Sequence, residues 1–226
     1  KFYNEQKDEQ LLTSNRTNLI SKRDRKKCLE NAIEKNYEFA IFDDGLQDKS
    51  INYDLKICCF SSNNWIGNGC IIPAGPLREK IQAIKEFDIV FLNGPNKENE
   101  NIKNKIFKIN RNVKIFEGRY VVKNLDKLDN SQNYVAFSGI GNPENFYSTL
   151  KENNLNIFKY FTFPDHYNYK KNELDNMKRY AIKNDLKVIT TEKDYFRINK
   201  ELRQDVDYIE MDLEIVNEKQ FLDLLL

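Results

Sequence analysis

The feature that most limits this chain is an alternation. Apolar runs of strand length are followed by polar turns and then by segments with helical spacing. Runs at Phe39–Phe42, Leu55–Phe60, Ile89–Leu92, Ile106–Ile109, Val135–Ser138, Tyr160–Phe163, Lys187–Thr190 and Tyr208–Met211 are predicted as strands. Between them, Arg23–Lys35 puts Cys28, Leu29, Ala32 and Ile33 on one face. Phe146, Tyr147 and Leu150 share a face after Pro143, and Leu174, Met177, Tyr180 and Ala181 share one near 171–184. Strands alternating with amphipathic helices imply an α/β fold whose parallel sheets are covered on both faces.

A change of composition around 120–133 divides the chain. Glu117-Gly-Arg-Tyr-Val-Val reads as a short extended linker, and a fresh strand-turn-helix unit begins at Tyr134. The expected organisation is a lobe over 1–120 and a smaller α/β lobe over 121–226. The opening residues lack the small apolar strand that usually begins an α/β domain, so the chain is expected to start partway into one.

Bulk properties remove several classes of function. The net charge is +1, which gives no global field for nucleic acid, so an anionic ligand must be met by local charge. No apolar run approaches the roughly 18–20 residues of a membrane span. Four cysteines without C-x-x-C spacing argue for reduced thiols and against structural zinc. With a single histidine, His166, a metal would rest on carboxylate oxygens and would be hard, such as Mg²⁺.

Polar residues follow the predicted strands, where open α/β sheets build their ligand crevice. Asp43-Asp44-Gly45 is either an ordinary Asp-Gly turn or a strand-end acidic pair of the kind that holds Mg²⁺ beside nucleotide phosphates. Trp65-Ile-Gly-Asn-Gly-Cys-Ile-Ile-Pro-Ala-Gly-Pro-Leu-Arg-Glu79 is the least generic stretch. Gly67, Asn68 and Gly69 would bring backbone amides close to an anion, Arg78 could fork onto phosphate, and Glu79 could be a further metal carboxylate. The alternative is a structural Gly/Pro loop with Arg78 and Glu79 capping a helix. Ser138-Gly-Ile-Gly-Asn-Pro-Glu144 lacks the third glycine of a dinucleotide loop; Asn142 as N-cap before Pro143 accounts for it. His166, on a Pro-bearing loop, is either structural or part of a proton-transfer site, with Asp165 too close in sequence to be assumed its partner. Thr190-Thr-Glu-Lys-Asp194 reads as a Thr cap with Lys193 and Asp194 solvated, or as a means of aiming Lys193 at a ligand.

Five motifs occur here in order: Asp-Asp-Gly-Leu-Gln, Gly-Asn-Gly-x-Ile-x-Pro-Ala-Gly-Pro-Leu-Arg-Glu, Phe-Ser-Gly-Ile-Gly-Asn-Pro-x-x-Phe, Phe-Pro-Asp-His-Tyr and Thr-Thr-Glu-Lys-Asp. From about Asp8 to the C-terminus the chain resembles the tetraacyldisaccharide 4′-kinase (lipid A 4′-kinase) family. The resemblance implies transfer of the ATP γ-phosphoryl group to the 4′-hydroxyl of a lipid A disaccharide precursor, with Mg²⁺. It implies a location at the cytoplasmic face of the inner membrane of Gram-negative bacteria, and so a peripheral contact with the membrane surface. The implied fold is a P-loop-NTPase-like three-layer α/β/α lobe, N-terminally incomplete here, and a smaller α/β lobe joined by a two-stranded linker. The family's Asp-His pair falls on Asp8 and His166, its strand-end acids on Asp43 and Asp44, and its loop glutamate on Glu79. Asp44 and Glu79 would then bind metal, directly or through water, and His166 would orient or tune Asp8 as base.

Three departures accompany the resemblance. No Gly-rich phosphate loop ending in Gly-Lys-Thr/Ser occurs in the 226 residues, so the chain by itself is expected not to phosphorylate the precursor. Asp48 stands where the family usually has His, and Lys7-Asp8-Glu9-Gln10 stands where it has Gly-Asp-Glu-Pro. Two other readings fit the same residues: an Mg²⁺-dependent phosphotransferase with another acceptor, and a noncatalytic binding domain on this scaffold.

Overall fold

A computed structural model describes residues 13–14, 17–94 and 98–225. The chain divides into two compact units. One comprises residues 24–121 with 213–226, and the other residues 1–23 with 122–212.

The unit built on residues 24–121 starts with helix α1 (Arg25–Glu34), capped by the Asp24 carboxylate, which accepts from the Lys26 and Lys27 amides. Its sheet has the order β1-β2-β3-β8, with β1 Ile57–Ser61, β2 Ile89–Asn93, β3 Lys114–Val122 and β8 Met211–Ile215. β1, β2 and β3 are parallel. β8 runs antiparallel to β3, because the Lys123 amide bonds Glu210 while the Val216 amide bonds Glu117. Along β2 the side chains alternate between two cores. Val90 and Leu92 pack with Ile84, Ile102, Ile106 and Val113, whereas Ile89 and Phe91 pack with Phe116. Burial on both faces explains why β2 reads as an unbroken apolar run.

In the other unit the sheet order is β5-β4-β6-β7, all parallel: β4 Asn133–Ser138, β5 Asn156–Thr162, β6 Lys187–Thr191 and β7 Val206–Ile209. Tyr134 and Ala136 enter one core with Phe146, Tyr147 and Leu150 of α3 (Pro143–Glu152). Val135 and Phe137 enter the opposite core with Leu174, Met177 and Ala181 of α4 (Lys171–Lys183).

Two expectations about elements are corrected and one is extended. Ile106–Ile109 is not a strand but the last turn of helix α2 (Asn99–Ile109). Ile102 and Ile106, four apart, are both buried, and that spacing outweighs the short apolar run. The extended stretch Glu117–Val122 makes up most of β3, which pairs with β8. Phe39–Phe42 forms no strand among the described residues: Phe39 is 56% and Ile41 87% exposed, so the run has apolar side chains but neither a ladder partner nor a covering layer.

Candidate active site

Asp43-Asp44-Gly45 ends the Phe39–Phe42 run in a turn fixed from beneath by its carbonyls. Arg25, on α1, donates Nη2 to the carbonyls of Asp44 (2.7 Å) and Asp43 (3.3 Å). The Tyr53 hydroxyl donates to the Gly45 carbonyl at 2.8 Å, with the Tyr53 ring edge-on to Phe42. Three successive carbonyls are thus held by two side chains, while the carboxylates of Asp43 and Asp44 stay exposed. Asp44 stands at φ 51, a left-handed backbone that Asp tolerates better than most residues. Asp48 closes the turn locally: its Oδ1 accepts from the Ser50 amide (3.0 Å) and hydroxyl (2.6 Å).

Residues 61–79 form a self-bonded loop. The Asn68 side chain donates to the Ala74 carbonyl at 2.8 Å and accepts from the Cys70 amide at 3.1 Å. Gly67 (φ 56) and Gly69 (φ 73) adopt left-handed turns, and their amides donate to the Asn64 and Ile66 carbonyls. The Gly67 and Gly69 amides and the Asn68 side chain, assigned from sequence to an anion, are therefore engaged in shaping the loop. What the loop presents is its end. The Arg78 guanidinium donates to the Asp44 carboxylate, an exposed ion pair that joins the two sequence motifs. That hydrogen bond, with the charges of Arg78 and Arg25, holds the Asp44 carboxyl below its ordinary range against a smaller effect of desolvation.

The two thiols of β1 feel carboxylates of these motifs. Burial, the neighbouring thiol of Cys59 and the charge of Glu79 push the Cys58 thiol up to about 12. Cys59 is raised by burial and then by Asp43. Among the described residues no three His, Cys, Asp or Glu side chains converge as a metal-holding group. The exposed oxygens of Asp43, Asp44 and Glu79 nevertheless have the hard character Mg²⁺ selects, and that ion commonly takes one or two carboxylates together with phosphate and water.

His166 belongs to the other unit, on the loop between β5 and α4. Its backbone is left-handed (φ 56), and its amide bonds the Gly139 carbonyl at 3.1 Å and Asp165 Oδ1 at 2.9 Å. The sequence neighbour does reach the ring: Asp165 Oδ2 is 3.8 Å from His166 Nε2. Gly141 passes close by, and a Cβ there would sit 3.1 Å from Asp165 Oδ2. Asn142 caps α3 ahead of Pro143, accepting from the Asn145 amide. Asp8 lies outside the described residues.

The sequence reading missed what supports these groups, namely Arg25, Tyr53, Tyr169 and Arg197, and misjudged Asp194. Asp194 is not a solvated partner of Lys193. It is fully buried in α5 (Glu192–Arg197) and accepts from Thr191 Oγ1, the Gly139 amide, the Tyr169 hydroxyl and Arg197 Nη1, all at 2.8–3.0 Å. The Thr-x-x-Asp spacing of a capping box at Thr191 was the available signal, since the Asp194 amide bonds back to Thr191 Oγ1.

The family model described as "LpxK: Tetraacyldisaccharide-1-P 4'-kinase" matches residues 4–226. A tetraacyldisaccharide 4'-kinase of Pelagibacter ubique is 45% identical over the whole chain, which spans 72% of that relative. One from Rickettsia akari is 36% identical over 93% of the chain, which spans 63% of its length. Among solved structures, LpxK from Aquifex aeolicus in complex with ATP superposes with a TM-score of 0.66 at 23% identity, covering 90% of this chain and 62% of that one.

Proposed function

The chain belongs to the tetraacyldisaccharide-1-P 4'-kinase family, and from that premise we propose that the protein transfers the γ-phosphoryl group of ATP to the 4′-hydroxyl of a tetraacyldisaccharide 1-phosphate, a lipid A precursor. The observation that carries this is 45% identity across all 226 residues to a kinase of that name, with the five ordered motifs inside the matched span.

Each group has a part that its chemistry allows. The Asp43-Asp44 turn and Glu79 would hold Mg²⁺, whose chemistry here is to neutralise charge on the phosphate oxygens. Arg78 is placed to exchange one anion for another. Its Nη1 now donates to Asp44 Oδ1, and the guanidinium fork would suit a phosphate as well. Arg25 and Tyr53 keep the acidic turn in place as charges change around it. On the other unit, the imidazole of His166 lies beside the Asp165 carboxylate, with Oδ2 3.8 Å from Nε2. Through the family's Asp-His pair, His166 would orient Asp8 as the base that accepts the sugar hydroxyl proton.

The acceptor is a lipid, which supports a place at the cytoplasmic face of the inner membrane. No helix of the described residues is long and apolar enough to cross a membrane. The exposed basic stretch around Lys22–Lys27 would supply a peripheral contact with anionic headgroups.

The test is a kinase assay of the protein expressed from its whole coding sequence, with Asp44→Ala and His166→Ala beside wild type. Loss of rate with little change in substrate binding supports the assigned roles. Unchanged rates in both variants would remove them.

A further inference from the structure

We infer that Asp194 and Arg197 are positioning residues for His166, acting through the backbone of Gly139. Neither touches the imidazole, and the inference deepens the kinase reading by naming what sets the histidine in place.

Three attachments fix the loop that carries His166. At its start the Phe163 amide bonds the Ser138 carbonyl at 2.8 Å. In the middle the His166 amide bonds the Gly139 carbonyl at 3.1 Å. At its end the Tyr169 hydroxyl bonds Asp194 Oδ1 at 2.8 Å. Two of the three lead directly to the Asp194–Arg197 pair, because Gly139 is held by that pair at both of its polar groups. Its amide donates to Asp194 Oδ2 at 3.0 Å. Its carbonyl, besides taking the His166 amide, accepts Arg197 Nη1 at 2.9 Å. Arg197 Nη1 also reaches Asp194 Oδ1 at 2.9 Å, so a single guanidinium nitrogen bridges the carboxylate and the carbonyl on which the histidine hangs.

Steric fit points the same way. A Cβ on Gly139 would lie 2.8 Å from the Tyr169 hydroxyl, 3.1 Å from the Pro164 carbonyl and 3.1 Å from Tyr167 Cβ. Only a bare backbone lets the loop seat so closely. His166 itself is kept left-handed, a conformation that persists where surrounding contacts over-determine it.

Capping α5 does not require this arrangement. The Thr191 side chain already caps the helix by accepting from the Asp194 amide. The Asp194 carboxylate is fully buried and Arg197 almost so, and they reach across to a turn 55 and 58 residues away in sequence. A buried pair of this kind is weak evidence for stability, but it is well suited to fixing one geometry.

The single histidine of the chain makes the test direct, since every imidazole resonance belongs to His166. The variants are Asp194→Asn, Arg197→Lys and Tyr169→Phe, the last of which removes one hydroxyl and leaves the ion pair. Met177→Ala in the same core serves as control, compared at matched distance from its unfolding midpoint. We expect Asp194→Asn and Arg197→Lys to lower hydrogen-exchange protection of the His166 amide at least tenfold and to move the imidazole resonances. Tyr169→Phe should do the same to a smaller degree, and Met177→Ala should leave the imidazole unmoved. In the whole protein, the first two should lower kcat with the KM for ATP unchanged. If those of Asp194→Asn, Arg197→Lys and Tyr169→Phe that fold leave the His166 signals indistinguishable from those of Met177→Ala, the inference is wrong. The NMR arm does not depend on phosphotransfer, so a wild type without kinase activity would overturn the functional reading and leave this one standing or falling by itself.

Discussion

The guanidinium of Arg78 closes on the carboxylate of Asp44, joining the end of the Gly-rich loop to an acidic turn 34 residues earlier. Both side chains are more than half exposed, so the pair contributes only about 0–1 kcal/mol to stability. Asp44→Asn keeps a residue that accepts the left-handed backbone and removes the charge. It should leave the denaturant midpoint nearly unchanged while lowering kcat by roughly 10²-fold, the scale for losing one charge-stabilising group at a reacting phosphate. Equal loss of stability and rate would show that the turn is structural only.

The same pair has a defined pH dependence. Arg78 and, more weakly, Arg25 depress the Asp44 carboxyl below its ordinary 3.8. A depressed carboxyl contributes above its unfolded value, and the contribution fades only as pH falls through the folded one. Titration of the Asp44 carboxyl carbon by NMR should therefore give a midpoint under 3.8 that rises in Arg78→Ala. A midpoint unaffected by that substitution would mean the pair does not persist in solution.

Cys58 reports on Glu79. Its thiol, pushed up to about 12 chiefly by burial, should resist iodoacetamide at pH 8 while exposed Cys70 is alkylated. Because the Glu79 charge adds to that rise, Glu79→Gln should lower the Cys58 value and speed its modification at pH 10. An unchanged rate would place Glu79 away from β1.

Gly67 tests the loop. At φ 56, with a Cβ position 2.8 Å from Pro76 Cγ, Gly67→Ala should cost about 1–2 kcal/mol. Gly94→Ala provides the comparison, being left-handed with nothing within 4 Å. The Gly67 variant should show the larger drop in urea midpoint, and equal drops would mean that Pro76 yields without cost.

Much of the fold was legible because both sheets are covered on both faces. Ile89–Leu92 and Val135–Ser138 announced themselves as apolar runs, and α3 by its Asn142-Pro143 start. Where a run could serve either period, a short window misled, as at Ile106–Ile109, whose partner Ile102 lay just outside it. β3 was hidden by Gly118 and Arg119 in its middle, a place where close packing excludes a side chain: a Cβ on Gly118 would lie 2.6 Å from Phe91. At the site, Asp44, Arg78 and His166 stood out by place rather than by type, after predicted strands or at the end of a Gly/Pro loop, since Asp is common in turns. Arg25 and Asp194 did not, since a cap, an exposed helix cation and a buried tie to a distant carbonyl look alike until the backbone is folded.

The reaction is defined by which hydroxyl accepts the phosphate. The direct measurement is mass spectrometry and ³¹P NMR of tetraacyldisaccharide 1-phosphate after incubation with ATP, Mg²⁺ and the protein expressed from its whole coding sequence. One added phosphate is expected, at the 4′-hydroxyl, and it should be lost in Asp44→Ala. Phosphate appearing at another hydroxyl, or no transfer by a folded protein that binds ATP, would contradict the proposed function.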